Sequence, residues 1–171
     1  MKKKFLFTIL FLFSFTNVFA DNSHFIDFNK VLNTSKAGSE AQKKLKTLIE
    51  SESNKNKKKE QNIRKEETKI ISEKNTISAE EYNKKIQALR AKVSDLQKNK
   101  QKAFANISKT RNKAKKNLLD AVNPIVKKYM EDNNIRIVLN KESVVLGDET
   151  LEITAQIIDI LNKNVTSIKL D

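Results

Sequence analysis

The chain has 171 residues, a formal net charge of +13, no Cys, one His and two Gly. Those counts exclude a disulfide framework, a thiolate metal site and a glycine-rich phosphate loop. No nucleophile, base and metal ligands converge, so the chain is read as a non-enzyme without a cofactor.

The first 20 residues read as a cleavable signal peptide. Lys2, Lys3 and Lys4 form a positive start, and Phe5 to Phe15 an apolar run too short to span a bilayer. Val18-Phe19-Ala20 places cleavage after Ala20. A retained anchor is the alternative, and the absence of Cys excludes a lipid-anchored form. The protein is therefore read as exported. His24 to Phe28 is a short strand, and its lone His has no second ligand beside it. Ser39-Glu40-Ala41-Gln42 matches a capping box, which predicts that a long helix starts at Ser39.

From Ser39 to about Met130 there is no Gly, and Pro124 is the one Pro. The second half of this run alternates steps of four and three through Tyr82, Ile86, Leu89, Val93, Leu96, Lys100, Ala103, Ile107, Thr110 and Ala114, the seam of a coiled coil. The first half repeats at seven through Ile49, Asn56, Ile63, Ile70 and Ile77. Its interleaved positions, Glu52, Lys59, Glu66 and Glu73, are all charged. Ser78-Ala79-Glu80-Glu81 is a second capping pattern. One continuous helix has no use for such a signal, so the run is read as two antiparallel helices with a tip near 75–78. Folding there aligns Ile70 with Ile86, Ile63 with Val93 and Ile49 with Ile107. Asn56 and Lys100 then form one polar layer, expected to act as a hinge because a buried unpaired polar group is costly.

Past Ala114 the apolar stripe widens through Leu118, Leu119, Val122, Ile125, Val126 and Tyr129, which implies burial against several neighbours. Asn123-Pro124 is expected to kink or restart the helix, and Asn133-Asn134 to close it. Strands follow at Ile135–Leu139 and Ser143–Leu146, then a helix over Leu151–Asn162. The tail 163–171 is either a last strand or frayed. The fold class is α+β and mostly helical. A long antiparallel coiled-coil hairpin, 39–116, is inserted in a small base built from 21–38 and 117–171. Phe25, Ile26, Phe28, Ile137, Leu139 and Val145 are the expected core and oligomer contacts, because so small a base needs a supplement.

Residues 40–116 carry 23 Lys/Arg and ten Asp/Glu, while the rest of the exported chain carries eight and 11. No acid stands between Asp95 and Asp120. This cationic arm has three readings: a nucleic-acid surface, a merely solvated coiled-coil face, or a surface for an anionic partner. Export and the lack of interleaved aromatics weigh against physiological nucleic acid. The third reading names Lys84, Lys85, Arg90, Lys92, Lys98, Lys102, Lys109, Arg111 and Lys113. Phe104 either adds an apolar contact for that partner or packs on the first arm.

Three stretches resemble the Skp/OmpH family of periplasmic chaperones: Phe25 to Gly38 with its Ser35-x-x-Gly38 ending, Ile77 to Tyr82 at the tip, and Ile135 to Asn162 with Leu151-Glu152-Ile153-Thr154. The chain departs from that pattern with Glu152 where Asp is usual and Asn134 where Gly is common. The resemblance implies a periplasmic homotrimer whose hairpins enclose unfolded outer-membrane proteins without ATP before membrane insertion. An anionic lipid or lipopolysaccharide surface is the further partner considered. The competing function is a coiled-coil spacer or adaptor of the cell envelope.

Overall fold

The computed structural model describes residues 23–170; the expected signal peptide and the expected cleavage after Ala20 lie outside them. Strand β1 (His24–Ile26) leads into helix α1 (Phe28–Thr34). Asp27 caps α1, its carboxylate accepting from the Lys30 N–H at 2.8 Å. Helix α2 (Lys36–Glu73) and helix α3 (Ala79–Asp132) make the hairpin. Strand β2 (Val138–Asn140) returns beside β1, and helix α4 (Thr154–Asn164) closes the base. At 1.5 Å per residue α2 is about 57 Å long and α3 about 81 Å.

Helix α2 starts three residues before the expected Ser39. Ser35 is the cap: its buried hydroxyl accepts from the Gly38 N–H at 3.1 Å, and Ser39 continues inside the helix. Gly38 is required by close approach, since a Cβ there would lie 2.2 Å from the Leu32 carbonyl oxygen. At the tip, the Ser78 hydroxyl accepts from the Glu81 N–H at 3.2 Å and opens α3. Helix α3 runs unbroken past Pro124, correcting the expected restart. It ends at Asn134, whose φ of 54° is left-handed. The Ile135 N–H then donates to the Met130 carbonyl at 2.9 Å, and the Asn134 N–H reaches Glu131 at 3.5 Å, a Schellman closure.

β1 and β2 pair in parallel, His24 opposite Val138 and Ile26 opposite Asn140. The strand expected over Ser143–Leu146 does not form. Two short 3₁₀ turns, Lys141–Ser143 and Glu149–Leu151, flank it on either side, capped by Asn140 and Asp148. Local side-chain bonds thus replace a ladder. On the far side of β1, Phe25 instead bridges in parallel to Glu152, with the Ile153 N–H donating to the Phe25 carbonyl at 3.0 Å. Helix α4 has no side-chain cap of its own. Its Thr154 hydroxyl is buried and accepts from the Asp27 N–H at 2.9 Å. The core joins Ile26, Val31, Leu118, Val122, Ile157 and Leu161. The described tail is not a strand: Ile168 enters the core, and Asn117 donates to the Lys169 carbonyl at 2.8 Å. Among the described residues no helix is long and apolar enough to cross a membrane.

Candidate functional site

The hairpin divides into two halves with different electrostatics. In the tip half the seam is held by Ile70, Leu89 and Leu96, all buried. Between these layers the inward positions of α2 are glutamates, and lysines of α3 cross to them. Glu73 meets Lys85 at 2.6 Å, Glu66 meets Lys92 at 2.6 Å, and Glu60 meets Lys100 at 3.1 Å. The hydrogen bond from Lys85 holds the Glu73 carboxyl below the ordinary glutamate range and pushes the Lys85 ammonium up. Hydrogen bonds from Lys100 and then Arg64 lower Glu60 in the same way.

These crossings correct the expected register. Lys100 is an exposed ion-pair partner of Glu60 and does not face Asn56 in a closed polar layer. Among the described residues no buried side-chain nitrogen or oxygen lacks a hydrogen-bond partner, so the penalty on which the hinge rested is absent. Glu60, rather than Lys59, is the partly buried member of α2. Here the inward positions step by four and four, because a helix of 3.6 residues per turn drifts against a strict seven-residue repeat. Val93 and Ile49 are likewise turned partly outward, 49 % and 38 % exposed.

The arm cations therefore differ in availability. Lys85 and Lys92 tie the hairpin together. Lys98 lies 4.0 Å from Asp95. Lys84, Arg90, Lys102, Lys109, Arg111 and Lys113 are exposed, and among the described residues no ion pair engages them. The last four lie in the root half, within the acid-free part of α3. Phe104 is 77 % exposed, so it does not pack on α2. Lys115, which the sequence reading passed over, stands in the same acid-free run. It lines a cavity of about 190 Å³ where the hairpin meets the base, together with Arg111, Leu45, Ala114, Leu118 and Ile168.

The base residues singled out from sequence separate into two groups. Phe25 and Ile26 are buried and Phe28 is half-buried against the core. Ile137 and Leu139 are about half exposed, and Val145 and its neighbour Leu146 stand in solvent on the chain by itself. Behind them Lys141 caps the Phe25 ring face at 5.9 Å and bonds Glu152 at 2.6 Å. Hydrogen bonds from Lys141 and Thr154 hold Glu152 below its ordinary range. Glu152, the family departure noted above, is thus an ion-pair anchor rather than a cap. Among the described residues no group of His, Cys, Asp and Glu is placed to hold a metal ion.

No curated protein shows significant sequence similarity to the chain. The fold is similar to the crystal structure of an OmpH-like chain from Caulobacter crescentus CB15, assigned as an outer membrane chaperone, with a TM-score of 0.80 and 17 % identity over 90 % of this chain and 96 % of that one. The family model described as outer membrane protein (OmpH-like) matches residues 23–161, which takes in β1, the hairpin, β2 and most of α4. By that match the chain belongs to the OmpH-like family.

Proposed function

We propose that the protein is an ATP-independent holdase of the periplasm, which as a homotrimer encloses unfolded outer-membrane β-barrel chains and keeps them from aggregating before insertion. The observation that carries this reading is the division of charge along the hairpin. Lys85, Lys92 and Lys100 bind glutamates of α2 and hold the outer arm together, whereas Lys102, Lys109, Arg111, Lys113 and Lys115 on the acid-free root half of α3 are exposed and engaged by no ion pair among the described residues. Unpaired cations on a long rigid arm attract acidic chains at long range. Shallow contacts hold such chains without a deep trap. An unfolded barrel strand alternates apolar and polar residues and exposes edges that aggregate, which is the hazard an enclosing arm removes.

Family membership and the assignment of the Caulobacter relative agree with this role. The trimer is supported by the apolar residues left outside the single chain, Ile137, Leu139, Val145 and Leu146, since exposed patches of this kind mark contact surfaces. Export through the signal peptide would place the protein with its clients. An anionic lipid or lipopolysaccharide surface is the second partner that the same cations suit.

The test is a titration of residues 21–171 into a urea-unfolded porin diluted to aggregate, followed by light scattering. Loss of scattering at a breakpoint near one trimer per client is the expected result. Undiminished scattering at large excess would remove the holdase reading and leave a coiled-coil spacer of the envelope.

A further inference from the structure

The root half of α3 presents more than diffuse positive charge. Phe104, Arg111 and Lys115 are seven and four residues apart, and at 3.6 residues per turn they share one face of the helix. The stripe runs about 16 Å. It ends in the cavity of about 190 Å³ between hairpin and base, whose floor is apolar, with Leu45, Ala114, Leu118 and Ile168, and which Arg111 and Lys115 also line. Neither cation has an ion-pair partner among the described residues, whereas Lys85, Lys92 and Lys100, farther toward the tip, each bind a glutamate of α2. Phe104 stands in solvent, where its ring has no structural use.

We infer that Phe104, Arg111, Lys115 and the root cavity form one docking strip for an extended, acidic polypeptide segment that alternates carboxylates with aromatic side chains. This rests on the holdase reading and deepens it by naming where on the arm a client is held and what chemistry it offers. An extended chain rises about 3.3 Å per residue, so some five residues span the strip. One of its aromatic side chains enters the cavity and another meets Phe104. Its carboxylates, on the opposite pleat, lie within reach of the two cations, and Arg111 can hold one through two parallel hydrogen bonds. A single exposed ring is too little for nucleic acid, which is held without sequence preference by successive stacked bases.

The experiment uses the full exported chain and a fluorescein-labelled pentapeptide alternating Glu and Phe, read by fluorescence anisotropy. Arg111→Glu/Lys115→Glu should weaken binding by about tenfold or more, and the neutral pair Arg111→Gln/Lys115→Gln by several-fold. Phe104→Ala should weaken it by about threefold. Lys58→Glu/Lys65→Glu, the same charge change in the tip half of α2, should alter it by less than twofold. Circular dichroism and size-exclusion chromatography establish that each variant keeps its fold and assembly. Equal loss in the tip control, or no binding by the parent protein, would overturn the strip. So would duplex DNA competing through Arg111 and Lys115 while Phe104→Ala changes neither ligand, which would assign a general polyanion surface. The porin titration separates the two levels: peptide binding without suppression of aggregation retains the strip and removes the holdase.

Discussion

In the base, Ile26, Val31, Leu118, Val122, Ile157 and Leu161 are each at most 1 % exposed and touch one another across α1, α3, α4 and β1. In the outer hairpin the equivalent inward positions hold Glu60, Glu66 and Glu73 against Lys100, Lys92 and Lys85. The base is stabilised by removing apolar area from water, which salt and moderate pH hardly touch. The hairpin relies in part on partly exposed ion pairs, whose strength depends on what is dissolved around them. One chain thus carries a body indifferent to its medium and an arm that responds to it.

That contrast can be broken most severely in the base. Leu161→Ala removes a fully buried side chain and should cost about 2–5 kcal/mol in urea unfolding, with near-complete loss of the folded fraction at moderate urea. Gly38→Ala should follow at about 1–3 kcal/mol. The added methyl meets the Leu32 carbonyl, so α1 or the start of α2 must shift. Ile70→Ala, in the hairpin seam, should act locally. Hydrogen exchange near the tip should quicken while amides of α4 keep their protection, because some tens of ångströms of helix separate the two regions. If α4 loses protection equally, arm and base form one cooperative unit and the contrast fails.

The smallest effect is that of pH, and its sign follows from the depressed carboxyls. Glu60 and Glu73 contribute stability that is fully present above the ordinary glutamate value of about 4.5 and is lost as pH falls through their lower folded values. Acid should therefore loosen the outer hairpin, and 0.5 M salt, roughly, should mimic it at neutral pH by screening. Glu152 adds an acid dependence of the same sign to the base. At the alkaline end the raised Lys85 contributes below the ordinary lysine value and ceases to do so as pH rises through its folded value. Exchange rates at the tip as a function of pH and salt check all of this. A tip indifferent to both would assign its stability to Ile70, Leu89 and Leu96 alone.

Much of this organisation was legible in the residues, because it depends on local chemistry and short periods. Ser78 announces the second arm with its own hydroxyl, and Asn134 takes the left-handed position that few side chains tolerate. What was not legible depends on what lies opposite. Val144 and Val145 have every strand preference, but among the described residues no neighbouring strand offers them a ladder, and Asn140 and Asp148 draw the flanking backbone into turns. Ser39 begins the capping-box pattern, yet Ser35 is the cap. Only the packing of α1 against α2 selects Ser35. The available cations were separable from the occupied ones only once Glu60, Glu66 and Glu73 had positions. Lys115 was hidden because the cavity it lines is made by residues far apart in the chain.

The parallel pairing of β1 with β2 has a further consequence. His24 and Val138 are neighbours, yet the entire hairpin lies between them in the chain. Closing such a loop from a disordered chain costs entropy and time. The closure becomes short once α2 and α3 have zipped, since the hairpin then delivers its two ends side by side. The turn at Ser78, some tens of ångströms from the sheet by helix length, therefore sets how quickly the sheet can form. In refolding, the most remote point of the molecule acts on the assembly of its centre.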